Sequence, residues 1–245
     1  MPRTIRRALA LVIPFLLGAC ATAPITTTTK DTSKTFKTVV VDAGHGGKDL
    51  GAFRRYGPRE KTATLDVARR LEEKLRESQL KIVMTRSSDE FVSLDQRVEI
   101  ENAQKNSILV SIHFNDARRR GAHGYETYYN SPHARELAGR IQDKLMTIPH
   151  SANRGVKPGN FRVLRLANYP AILVECGFLS NRREGNEARD EEYLELLADR
   201  IAEAIVEQRY GSGVYHASAQ TIVKPPSEGP ASSGPGLAPS SLRHD

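Results

Sequence analysis

Residues 38–52 read TVVVDAGHGGKDLGA, an apolar run that stops at an acid and then breaks into glycine. A short continuous run of this kind, punctuated by glycine, predicts a buried strand at 38–42 with a loop at its C-terminal end. Two later stretches repeat the design, SILVSIH at 107–113 and AILV at 171–174, the latter followed at once by Glu175. Between them the spacing changes: Val67, Ala68, Leu71 and Leu75 recur at three and four residues. That period predicts an amphipathic helix over 62–78. Working outward, the pattern gives a strand at 80–85, a helix at 94–104, a strand at 125–129 and a helix at 132–146 with Pro132 in its first turn. After a polar loop, a short strand is expected at 161–164 and a last helix at 191–208. Strands alternating with helices predict one α/β domain around a largely parallel sheet.

His45, His113 and Glu175 each follow an apolar strand. In open α/β sheets the polar residues at the carboxyl ends of strands gather on one edge. Desolvating an imidazole or a carboxylate there is unfavourable unless a metal or a hydrogen-bond network compensates. One shared site is therefore expected. For His45 alone a loop or core histidine is an equal reading, and the glycines around it have a phosphate cradle as a rival, although neither the Walker spacing nor GxGxxG is matched. Glu60, taken by itself, reads as an acid in a first helical turn, placed there for the macrodipole.

The stretches VVVDAGHGGKDLGA, PREKTATLDVA, IVMTRSSDEFVSLDQRVEIEN, LVSIHFNDA and AILVECGFLSN occur in that order between residues 39 and 181. Together they resemble the successive motifs of the zinc-dependent N-acetylmuramoyl-L-alanine amidases, the amidase-3 family of cell-wall hydrolases. The resemblance extends over 39–209 and implies a twisted, mostly parallel sheet flanked by helices. It also implies one Zn²⁺ held by His45, Glu60 and His113, with Glu175 as the catalytic carboxylate. Two imidazoles and one carboxylate form a known catalytic zinc set that leaves a fourth position open. On this reading the substrate is peptidoglycan, cut at the amide between N-acetylmuramic acid and L-alanine. A zinc peptidase acting within the stem peptide and an inactive wall-binding lipoprotein are the competing readings.

Several further residues enter as candidates. Asn115, Arg86 and Asn181 are candidate substrate contacts, with Arg97 and Arg182 beside them. Asp42 is either a holder of a ligand imidazole in one tautomer or a turn residue. Cys176, inside an apolar run, reads as a small core residue rather than a nucleophile, because a thiolate needs an exposed, electropositive setting. The segment between His113 and Glu175 contains no long helical insertion of the kind that covers the zinc in division-associated members, so no obligatory activator is expected.

The ends differ from the core. Residues 1–20 carry Arg3, Arg6 and Arg7, then an apolar run too short to span a bilayer, then Leu17-Gly18-Ala19-Cys20. This is the layout of a secretory signal, and it resembles a lipoprotein lipobox, which implies a lipid anchor on Cys20. Ala21 in place of Asp tilts the expectation toward the outer membrane, facing the periplasm. Residues 21–37 are expected as a flexible tether, 38–210 as the catalytic domain, and 211–245, rich in Pro, Gly and Ser, as a disordered tail. With 39% hydrophobic and 27% charged residues, a fully disordered chain and a multi-span membrane protein are both excluded. Lys and Arg outnumber Asp and Glu by 36 to 29, which attracts polyanions in general. No base-reading or base-stacking signature accompanies the charge, so the reading is against nucleic acid.

Overall fold

A computed structural model describes residues 29–53, 55–119 and 121–215. The signal segment, Cys20 and the chain beyond 215 lie outside the described residues. Six strands form one sheet: β1 (Thr38–Ala43), β2 (Lys81–Met84), β3 (Ser107–Asn115), β4 (Tyr125–Tyr129), β5 (Asn153–Pro158) and β6 (Ala171–Phe178). Their order across the sheet is β2-β1-β3-β6-β4-β5. All neighbours are parallel except β4 and β6, which run antiparallel. The helices are α1 (Glu60–Arg76), α2 (Leu94–Asn102), α3 (Arg135–Leu145), α4 (Arg162–Arg165), α5 (Arg182–Glu187) and α6 (Glu191–Tyr210).

The alternation of side chains along the strands divides the core in two. Val39, Val41, Ile108, Val110, Ile112, Ile172 and Val174 pack with α1, α3 and α6 on one face. Val40, Leu109 and Leu173 point the other way and meet Val98 of α2 with Val163 and Leu164 of α4. Strands covered on both faces have no polar side to show, which is why they read as unbroken apolar runs. On the second face Arg97 of α2 reaches beyond Val40 to Asp42 and keeps it buried, while the ends of β3 and β6 border an open groove. Two residues beyond Val40, Leu109 and Leu173 on that face come Asp42, Ser111 and Glu175. The register then sets His113 opposite Glu175, and Glu175 opposite Glu126 of β4. Asp42, His113 and Glu175 thus share the face on which the groove opens.

Three expectations need correction. Residues 161–164 are not a strand: Val163 and Leu164 belong to the short α4, and both are buried against the sheet. A brief apolar run carries no period that separates a strand from a buried helical turn. The remaining strand is β5, NRGVKP, unseen because an edge strand carries Arg, Lys and Pro in place of alternating apolar residues. Finally, the tether boundary at 37 is too late. Phe36 is fully buried, Thr32 Oγ1 donates to the Ser107 carbonyl at 2.6 Å, and Lys30 N donates to the Asn168 carbonyl at 2.8 Å. At the other end Tyr215 donates to Asp199 Oδ1 at 2.9 Å, so the folded unit runs past 210.

Candidate metal centre

His45 sits in a tight turn after β1, with φ 61° and with Gly46 and Asp49 exchanging both backbone hydrogen bonds at 2.9 and 3.0 Å. The turn aims the imidazole back over the end of β3. Glu60 opens α1, two residues earlier than the sequence suggests. Its amide is taken by the Ala52 carbonyl at 2.9 Å, so the helix start is docked on the loop that follows His45. Glycine keeps the centre compact: a Cβ on Gly51 (φ 62°) would fall 2.6 Å from Glu60 Oε2 and 2.7 Å from His45 Cδ2.

Glu60 Oε1 lies 3.0 Å from His45 Nε2 and 3.0 Å from His113 Nδ1. One ligand atom from each of the three residues falls within 4.8 Å of the others, the arrangement that offers a single small cation a shared site. The imidazole planes are nearly perpendicular, at 78°, with centroids 5.0 Å apart. Glu60 is fixed from both sides by backbone amides, Phe114 N to Oε1 at 3.1 Å and Ala52 N to Oε2 at 2.8 Å. Burial opposes its charge, but hydrogen bonds from His113 and His45 outweigh that and hold its carboxyl well below the usual range. The same contacts act in reverse on the imidazoles. Burial disfavours their charged forms, yet Glu60 raises the pKa of both, with Asp49 adding to the effect on His45.

Asp49 is a residue that sequence reasoning missed. Its Oδ2 lies 2.9 Å from His45 Nδ1, and a carboxylate there keeps a proton on Nδ1 and turns Nε2 toward Glu60 and His113. Asp42 does not perform that task. It is buried and accepts from Thr85 Oγ1 at 2.7 Å, Ser111 Oγ at 2.6 Å and Arg97 Nη1 at 2.5 Å. Arg97 in turn donates to the carbonyls of Ala43 and His45, so Asp42 fixes the turn's backbone through a guanidinium.

Glu175 faces the pair from β6. Its Oε2 is buried without a hydrogen-bond partner, and burial pushes the carboxyl up to about 7. His113 pulls it down, while the carboxylates of Glu60 and Glu126 push it further up. A carboxylate with a pKa near neutrality beside two imidazoles is able both to accept and to release a proton. These groups open into a groove of about 830 Å³ bordered by Phe91, Leu94, Asn115 and Phe161.

Of the three proposed substrate contacts, only Asn115 lies in the groove, donating to Glu126 Oε1 at 2.5 Å. Arg86 is 2% exposed and spends its guanidinium on the carbonyls of Ala43, Gly44, Lys61 and Ser88, which makes it a clamp on the turn. Asn181 caps α5 and donates to the Ala122 carbonyl at 3.2 Å, in a separate cleft. A polar residue in a motif looks the same in sequence whether its partners are backbone or ligand. Glu126, buried in β4, was also missed; its one signal was a charge amid the aromatic run YETYY. Cys176 is fully buried and burial pushes its thiol pKa far up, consistent with a core residue.

Residues 39–207 match the family model described as N-acetylmuramoyl-L-alanine amidase. The chain belongs to this amidase family. It is 33% identical over 174 residues to the N-acetylmuramoyl-L-alanine amidase LytC of Bacillus subtilis, and 32% identical over 171 residues to the probable cell wall amidase LytH of Staphylococcus aureus. Each alignment covers 69% of this chain, but 35% of LytC and 57% of LytH, so the likeness spans only part of those relatives. Among solved structures, the catalytic domain of the amidase CwlV from Bacillus (Paenibacillus) polymyxa superposes with TM-score 0.66 at 37% identity, over 70% of this chain and 97% of that one. The CwlD amidase of Clostridioides difficile, solved in complex with the GerS lipoprotein, gives TM-score 0.67 at 32% identity, over 70% and 98%. The described unit is therefore an amidase catalytic domain.

Proposed function

We propose that this amidase is zinc-dependent and hydrolyses the amide between the lactyl group of N-acetylmuramic acid and L-alanine in peptidoglycan. The observation that carries the reading is the convergence of His45, Glu60 and His113 within 4.8 Å, with the unpartnered Glu175 carboxylate beside them. The donor set fits zinc: two imidazoles and a carboxylate, with Asp49 and two backbone amides orienting them. When bound there, Zn²⁺ supplies a Lewis acid that polarises the substrate carbonyl and brings the pKa of water toward about 7. Glu175 takes the proton of the attacking water as the C–O bond forms. It delivers that proton to the alanine nitrogen as the C–N bond breaks, so the carboxylate ends as it began. Its burial without a partner keeps it basic enough for the first task and acidic enough for the second.

The chain is exported and anchored by a lipid on Cys20, in the outer membrane facing the periplasm, where its substrate lies. The catalytic site is taken to work without an activator, a reading supported by the groove's lining: among the described residues between Asn115 and Glu175, Asp116, Phe161, Arg162, Val163 and Leu173 border it and none of α3 does. Digestion of purified sacculi with product identification by mass spectrometry tests the reading. Stem peptides with a free L-alanine amino terminus are expected, lost on chelation, restored by zinc, and absent with Glu175→Gln protein that still binds zinc. Products cut within the peptide, or full activity of Glu175→Gln, would refute the reading.

A further inference from the structure

A second cavity, of about 820 Å³, lies beside β5, and its Arg154 and Lys157 reach Glu126, which Asn115 of the groove also holds. Arg119, His123, Arg154 and Lys157 line it, and no acidic side chain does. Buried Glu126 bonds to the linings of both spaces. Its Oε1 accepts from Asn115 in the groove and from Tyr128 Oη at 3.0 Å, while Oε2 accepts from Arg154 Nε at 3.1 Å and Lys157 Nζ at 2.5 Å. Because Glu126 pairs with Glu175 across the strands, the two cations stand one cross-strand neighbour away from the catalytic carboxylate.

One carboxylate meets two cations here, so the pair retains a positive charge, and Arg119 adds another. The side chains are 36% and 39% exposed for Arg154 and Lys157, which leaves their heads within reach of a ligand. Arg154 also lies 4.8 Å over the Phe178 ring, which fixes the guanidinium before anything binds. Its Nε is committed to Glu126, and its terminal nitrogens keep the fork geometry that suits a carboxylate. The opposite wall of the groove has another character. Phe91 and Leu94 line it beside α2, and they are 44% and 53% exposed.

The bond assigned to this enzyme joins two unlike halves. The glycan half is uncharged once its lactyl carboxyl is in the amide, and sugar rings present apolar faces. The peptide half carries free carboxylates, which the basic cavity attracts. We propose that the cavity lined by Arg119, His123, Arg154 and Lys157 is a subsite for the free carboxylates of the stem peptide. It fixes the direction of the substrate, with peptide toward β5 and sugar toward α2. This placement rests on the amidase reading given above.

The test uses the zinc-loaded full chain and two probes: the tripeptide L-alanyl-γ-D-glutamyl-meso-diaminopimelic acid with its carboxylates free, and the same tripeptide with them amidated. Isothermal titration should give the free form an affinity at least about tenfold tighter, the worth of one charge-assisted hydrogen bond. Arg119→Ala combined with Lys157→Ala should reduce that preference to under about twofold while leaving the amidated probe unchanged, and Lys157→Arg should retain it. Equal binding of the two probes by wild type, or equal weakening of both in the double variant, overturns the proposal. Cleavage of the matching disaccharide peptides reports separately on the activity. If no lactyl–alanine bond is cut, the amidase reading fails, and the tripeptide titration still decides the subsite.

Discussion

Gly44 gives the sharpest test of the centre, because its place in the structure is sterically determined. A Cβ added there would fall 2.4 Å from His113 Cε1, 2.6 Å from Nε2 and 2.8 Å from Nδ1, where ordinary contact begins at 3.4 Å. Gly44→Ala must therefore drive the imidazole away by about 1.0 Å. His113 cannot yield through its backbone, since β3 is paired with β1 on one side and β6 on the other. The ring swings instead, and its 3.0 Å approach to Glu60 is lost. Disturbing the groups that orient a metal ligand costs about 10- to 100-fold in affinity, and this change moves a ligand itself. Zinc affinity should fall by about 100-fold, equivalent to about 2.7 kcal/mol. Turnover should fall by a similar factor, the usual consequence of a displacement of about 1 Å at a reacting centre. Competition with a chromophoric chelator on metal-stripped protein measures the first, and release of free stem peptide from sacculi the second. Gly139→Ala is the control: it lies in α3 with nothing within 4 Å of the added carbon, and should leave zinc affinity intact while adding up to about 1 kcal/mol of stability. A Gly44→Ala protein that binds zinc and turns over like wild type would show that His113 does not work from the position described.

Asp49→Ala removes the carboxylate on His45 Nδ1 and should weaken zinc binding by about 10- to 100-fold with little change in melting temperature, measured by the same competition. Asp42→Ala leaves the Arg97 cation buried without its partner and should cost about 3–5 kcal/mol in denaturant unfolding; a loss under about 1 kcal/mol would show that the pair is not what holds the turn. Glu101 is fully buried in α2, and burial pushes its carboxyl up to about 7, the nearby amides of Asn168 and Tyr169 and the Ser107 hydroxyl offsetting only part of this. The unfolded chain releases that proton near pH 4.3, so its native-state cost grows as pH rises from about 4.3 to about 7 and is constant above. Glu101→Gln should therefore stabilise the protein by up to about 3 kcal/mol at pH 8 and by much less at pH 4; the same difference at both pH values would contradict the burial argument.

The strands and long helices were legible because each is written in a local period. The residues 38–42, 107–113 and 125–129 give their strands to within a few positions, and α1 and α6 begin within two residues of expectation. What was lost lacked such a period. β5 lies at an edge and needs no alternation, and α4 is one turn long. At the site, His45, His113 and Glu175 stood out because a polar group after an apolar strand needs compensation. Glu60 did not, since its sequence position is equally that of a helix-dipole acid.

The sequence by itself determined which residue types end the buried strands, and hence that imidazoles and a carboxylate would meet at one sheet edge. Strand period and apolar runs are properties of neighbours along the chain, so they need no fold to be read. Only the tertiary structure decided what each polar side chain touches. Arg86 turned out to clamp four backbone carbonyls, Arg97 to carry Asp42 to the turn, Asp49 to orient His45, and Glu126 to hold Asn115 on one side and Arg154 and Lys157 on the other. Those roles depend on strand register and on where helices and loops pack against the sheet, and both are set by contacts between residues tens of positions apart.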